Sequence, residues 1–282
     1  MKQLILFGFI FLSISQGLYS QNNYVQYYQY INKVKQGVDK EQTDSLVYYL
    51  KQAFDLVDYV HVEYLQLGKR LAKKNKDQEF QSYCEDELKK SKENINAYLK
   101  AKLDSIAKED QRVRGRKYYN ARQYYGKCLH DTTFEYKEKK RIKAKQLMEE
   151  WWRVDSSNIE LLKAIISGNG FPSEKMVGEE THSKACIIIL HYDKDTANHI
   201  MGEVLHKAFR EGAIKPRMYA WIIDRHLLYM GKQQVYYIIP TPWKKMSDEE
   251  RKQYNSNRLS IGLKPLEEMK IVVKKNSVKV SY

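Results

Sequence analysis

Residues 43–71 read TDSLVYYLKQAFDLVDYVHVEYLQLGKRL, and the spacing of their apolar side chains decides the fold class. Leu46, Leu50, Ala53, Val57, Val60, Tyr64, Leu67 and Leu71 recur at steps of four and three, which places all eight on one helical face. Thr43, Asp44 and Ser45 supply the start chemistry. The pattern extends outward. Upstream, Tyr24, Tyr27, Tyr28, Ile31 and Val34 form a second stripe that ends at Gly37. Downstream, Phe80, Cys84, Leu88, Ile95, Leu99, Leu103 and Ile106 form a third. One-sided helices joined by short polar turns pack as hairpins, so residues 21–107 are expected to form a helical hairpin region. Such a region serves either as a docking surface or as a supporting bundle.

Residues 108–282 read as an α-rich domain with more varied punctuation. A charged helix is expected over Thr132–Arg153, followed by N-cap candidates at Asp155-Ser156-Ser157, with Ser157 and Glu160 at capping-box spacing. The helix these would open, Ile159–Ser167, stops at Gly168-Asn169-Gly170. Further helices are predicted over 179–191, 195–211, 216–230 and Ser247–Arg258. Val235–Ile239 reads as a short strand, and Lys270–Tyr282 as a C-terminal β-hairpin turning near Lys275-Asn276. The predicted fold is mainly α with minor β.

Composition limits the function classes. The chain has 282 residues, 43% hydrophobic and 30% charged, with too few Pro and Gly for a collagenous or linker-dominated protein. Met1-Lys2-Gln3, the apolar run Leu4–Leu12 and the polar stretch after it have the layout of a secretory signal peptide. Cleavage is expected after Ser20, leaving Gln21 first, with Ser15 as the alternative. Export to the periplasm or the extracellular space is therefore expected, with no transmembrane segment left after cleavage. The 49 Lys and Arg against 35 Asp and Glu make the chain basic, and Arg112–Lys145 is the densest basic stretch. An anionic glycan, an anionic lipid surface or an envelope protein is the expected partner class. Nucleic acid is not expected, because no recognition motif accompanies the charge. Cys84 and Cys128 are candidates for pairing in an oxidising compartment, and Cys186, inside Ala185–Leu190, reads as a small buried hydrophobe.

Polar residues in apolar surroundings mark the candidate site. Ala185–Leu190, which ends at His191, and Ala220–Leu228, which contains Asp224 and Arg225, are apolar nearly all round and so belong in the interior. A charge carried there needs partners from other elements. Under a functional reading, His191 exchanges protons and Asp224 orients it or holds a cation. Asp110, Arg112, Asp155, Asn158, Arg225, Gln234 and Arg258 are then the ligand-binding candidates, Arg225 or Arg258 clamping an anion. The structural alternative is a salt-bridge network that merely specifies packing. Glu179-x-x-His182 and Glu203-x-x-His206 have the spacing of di-iron bundles, but on helices too short for that site. No metal or cofactor is assigned. Two function classes follow: a binding or interaction module, or a hydrolase-like enzyme using His191 with Asp224 and Arg225.

From about Lys108 to Lys270 the order of motifs resembles a family of uncharacterised domains in exported bacterial proteins. The landmarks are Asp110-Gln111-Arg112, Asp155-Ser156-Ser157-Asn158, Gly170-Phe171-Pro172, His191-Tyr192-Asp193, Asp224-Arg225, Gln234-Val235-Tyr236, and Arg258 leading to Ile261-Gly262-Leu263. The preceding helices resemble tetratricopeptide-type pairs. The resemblance implies no established activity. It also exposes a departure, since the family usually carries Gly and Thr where this chain has Tyr237 and Ile238.

Overall fold

The computed structural model describes residues 23–38, 43–192, 200–240 and 246–268. Helix α1 covers residues 23–37. It is followed by α2 (Thr43–Phe54), α3 (Val62–Asn75), α4 (Gln78–Glu93), α5 (Ala97–Arg112) and α6 (Arg116–His130). Next come α7 (Glu138–Asn169), α8 (Glu174–Val177), α9 (Glu179–His191), α10 (Ile200–Arg210), α11 (Pro216–Tyr229) and α12 (Asp248–Ser260), with a 3-10 turn at Leu266–Glu268. None of the described helices is long and apolar enough to cross a membrane.

Two hydrophobic cores organise these elements. The first gathers α1 to α4 around Tyr27, Ile31, Leu50, Phe54, Leu65, Phe80 and Cys84. The second runs from Leu99 on α5 to Ile261 and is centred on Leu103, Ile159, Leu162, Ala185, Leu205 and Ile214. Helix α5 thus packs with the later helices. The stripe expected to run from Leu46 to Leu71 on one helical face is instead divided, α2 ending at Phe54 and α3 starting at Val62 so that Val57 and Val60 lie between helices, and the run Phe80–Ile106 is divided between α4 and α5. Lys76 takes a left-handed φ of 58° after α3, and the Asp77 side chain accepts from Phe80 N–H to start α4. Asn96 caps α5 in the same way, accepting from Leu99 N–H.

The N-terminal helices lie directly on the second core. Asn32 Nδ2 donates to the Gly262 carbonyl at 2.7 Å. A Cβ on Gly212 would lie 2.0 Å from the Tyr24 ring, and one on Gly262 would lie 2.7 Å from Tyr28 Cβ. Both glycines have positive φ, so here an absent side chain serves the turn and the close approach of α1 together.

Four further expectations need correction. The helix expected to restart after Asp155-Ser156-Ser157 does not, because α7 is one continuous helix of 32 residues. No Gly or Pro interrupts it there. The Asp155 carboxylate is engaged by Arg114 and Trp151 and caps nothing. Val235–Ile239 is not a strand, and no strand occurs among the described residues. Its amides at 235, 236 and 238 donate to one carboxylate, and Tyr237 at φ 51° breaks the extended run. The predicted hairpin at 270–282 lies outside the described residues. Finally, α11 is not apolar all round in its packing: Asp224 is fully buried, but Trp221, Leu228 and Tyr229 reach solvent. Cys84 and Cys128 are not bonded to each other; Cys84 is buried in the first core.

Candidate functional site

Helices α5, α7 and α9 pack against one another, and the ends of two of them bring charge together. Asp110, on the last turn of α5, is buried and accepts from His191 Nδ1, at the end of α9, at 3.0 Å. It also accepts from Gln111 Nε2 at 2.8 Å and pairs with Arg114 at 3.0 Å. Arg114 lies just beyond the end of α5. It donates to the Asp110 carbonyl at 2.6 Å and reaches across to Asp155 on α7 at 2.8 Å. Trp151, one turn before Asp155, donates its indole N–H to the other Asp155 oxygen at 2.8 Å and places its ring under the Arg114 guanidinium. Burial pushes the Asp155 carboxyl up, against the pull of Arg114. One turn further along α7, Asn158 is buried, and its Nδ2 has no hydrogen-bond partner among the described residues.

This arrangement can orient an imidazole. With Nδ1–H donated to a buried carboxylate, Nε2 is the basic ring nitrogen, and the His191 side chain is one-fifth exposed. Asp110, Asp155 and His191 therefore come together as residues of one cluster, with Asn158 one turn away. Arg114 and Trp151 complete it. Sequence reasoning missed both, although Asp110 and Arg114 stand at the i, i+4 spacing that signals a helical ion pair.

Asp224, Gln234 and Arg258 form a second group that serves a different task. The Asp224 carboxylate accepts the backbone N–H groups of Val235, Tyr236 and Ile238 at 2.8, 2.9 and 2.8 Å. Burial raises its pKa, and the three N–H donors with nearby Arg258 oppose that rise. Gln234 closes the same loop on itself, donating to the Ile239 carbonyl at 2.7 Å and accepting from Ile239 N–H at 3.0 Å. Arg258 donates to the carbonyls of Tyr236 and Lys264 at 2.9 and 2.6 Å. Tyr237, at its left-handed φ, occupies the position where the resembling family usually has Gly. The turn is kept, and a tyrosine bears its strain.

Arg112 and Arg225 belong to neither group. Arg112 is half-exposed and pairs with Glu109 and Glu150. Arg225 lies against Tyr229 and lines a cavity of about 150 Å³ with Ile189, Met201, Leu205 and Ile222. Of the two Glu-x-x-His histidines, His182 is buried with Nδ1 on the Pro172 carbonyl at 2.9 Å, and His206 meets the Tyr219 hydroxyl at 3.3 Å.

A third polar cluster had no sequence signal at all. His61 lies between Tyr28 and Glu174, its Nε2 2.8 Å from the Tyr28 hydroxyl and its Nδ1 3.0 Å from Glu174. Glu174 also accepts from Val62 N–H at 2.6 Å and pairs with Lys215 at 3.2 Å. Burial alone would raise the Glu174 pKa, but His61, Lys215 and the Val62 amide outweigh it and hold the carboxyl at about 2. These residues join α1 and the α3 entry to α8 and α11, so the cluster spans both cores.

Residues 140–280, half of the chain, match the model of a family of unknown function, DUF6624. No curated protein and no solved structure matches the chain.

Proposed function

Because the chain belongs to this family of unknown function, it inherits no activity from its relatives, and we propose that it is an exported binding module. The observation that carries this reading is the engagement of Asp224, Gln234 and Arg258. Each is turned onto the main chain of the 234–239 loop or its neighbour, so the group that would have to work on a substrate is spent as a clamp. Recognition then falls to the outer faces of the helices. Residues 21–107 are read as a helical hairpin region and 108–282 as the α-rich domain behind it. The start of the chain is read as a signal peptide.

A second reading, a hydrolase-like enzyme, is favoured by one observation. His191 donates to a buried carboxylate as an acid/base histidine does, and the unsatisfied Asn158 amide lies close by in the helix. Asp110, not Asp224, would then be its orienting partner.

Thermal unfolding of His191→Gln separates the two readings, and Asp224→Asn tests the clamp on which the first rests. Under the binding reading both lower the midpoint. Asp224→Asn, which sets an amide N–H against backbone donors, should cost on the order of 3–5 kcal/mol, a drop on the order of 10 °C. An unchanged or raised midpoint would mean that these residues are held at the expense of stability, as functional sites often are, and would overturn the binding reading.

A further inference from the structure

The strongest unassigned feature is the groove between α6 and α7. From Arg112 to Lys145 the chain carries twelve Lys and Arg and three Asp and Glu, so this hairpin holds most of the net positive charge. The groove has a volume of about 600 Å³. Lys117 and Lys127 line it from α6, Lys140 and Lys143 from α7, with the amides of Asn120 and Gln123 between them and no acidic side chain in the lining. Three of the five arginines of the same stretch pair with carboxylates elsewhere: Arg112 with Glu109 and Glu150, Arg114 with Asp110 and Asp155, and Arg141 with Glu138.

The two rings in the groove narrow the choice of occupant. Lys140 Nζ stands 4.2 Å from the Tyr124 centroid, and Lys127 Nζ 5.7 Å from that of Phe134. Tyr124 and Phe134 also meet edge to face at 5.5 Å. Ring faces covered by ammonium groups and by each other are not platforms for stacking a base, which argues against single-stranded nucleic acid. A concave groove with lysines on both walls, its apolar side chains Ala121, Ala144 and Leu147 lying between them, is also not the projecting apolar face that a helix inserts into a bilayer. What remains is a row of ammonium donors that match separated anionic groups, and side-chain amides that match hydroxyls. Lys117 to Lys127 spans about 15 Å along α6, the length of an oligomer.

We propose that this groove binds an acidic polysaccharide, carboxylates against the four lysines and hydroxyls against Asn120 and Gln123. The assignment rests on the binding reading above and names its ligand class.

The test titrates the intact chain with polygalacturonate, using neutral dextran as the blank, anionic phosphatidylglycerol vesicles and a single-stranded DNA oligomer as rivals. Two variants carry the same loss of charge: Lys117, Lys127, Lys140 and Lys143 all changed to Gln, and Lys69, Lys73, Lys74 and Lys89 all changed to Gln on α3 and α4. The expected result is polygalacturonate binding with a log–log salt slope of about −2 to −4. The groove variant should lose at least about tenfold in affinity, and the control variant should stay within about twofold. Equal losses in both variants would show attraction by net charge alone and overturn the assignment. Preference for vesicles or DNA would also overturn it. Failure to bind any polyanion would do the same, while the binding reading would still stand or fall on the Asp224→Asn midpoint.

Discussion

His182 lies buried against Phe171 and the Pro172 carbonyl, and burial lowers its pKa to about 4. An unfolded chain takes up that proton near 6.5, so between the two values the unfolded state binds more protons than the folded one. Its contribution is fully present above about 6.5 and is lost as pH falls toward 4. Unfolding midpoints across that window should drop by the equivalent of about 3 kcal/mol, and the profile of His182→Gln should be flatter there. Glu174, held at about 2, acts in the same direction further down, below its ordinary range. Single residues also show where sequence reading stops. The burial of Asp224 was legible, because apolar neighbours surround it on both sides. Its partners were not, since they are backbone amides 11 to 14 residues later in a loop whose shape only the folded chain defines. His191 and Asp110 were each singled out as site residues, but their pairing joins residues 81 positions apart.

Elements were legible wherever a terminus depends on local chemistry. The helix expected from Ser247 has its full capping box, Ser247 accepting from Glu250 N–H while Glu250 accepts from Ser247 N–H. The same spacing at Ser157 and Glu160 opens no helix, because α7 already runs through it and tertiary bonds take the Asp155 side chain. A capping motif describes a start only where the preceding residues are not helical. The turn after α10 gives a prediction at this scale. Gly212→Ala combines a strained φ with a methyl driven into the buried Tyr24 ring, and should cost about 2–4 kcal/mol in chemical denaturation. An alanine tolerated within about 0.5 kcal/mol would mean that α1 does not press on this turn.

At the scale of the molecule, a buried polar junction ties the two cores together. His61, Glu174 and Lys215 sit where α1 and the α3 entry meet α8 and α11, and each relies on the others for its hydrogen bonds or charge balance. Calorimetry of the unmodified chain should therefore show one unfolding transition. Glu174→Gln removes the charge that His61, Lys215 and the Val62 amide share, and should separate the transition into two, the N-terminal helices melting first. A single transition with only a lowered midpoint would place the coupling elsewhere, on the α1 contacts with Gly212 and Gly262.

Helix α7 has a mechanical consequence. Its 32 residues make a rod of about 48 Å, with Lys140 and Lys143 near one end and Ile159, Leu162 and Ile165 embedded in the second core toward the other. No glycine or proline interrupts it between those points, so it contains no joint. A load placed on the lysine end is carried as bending of a single strut. Whatever the groove grips is thereby fixed in orientation to the interior of the molecule, like a handle forged in one piece with its blade.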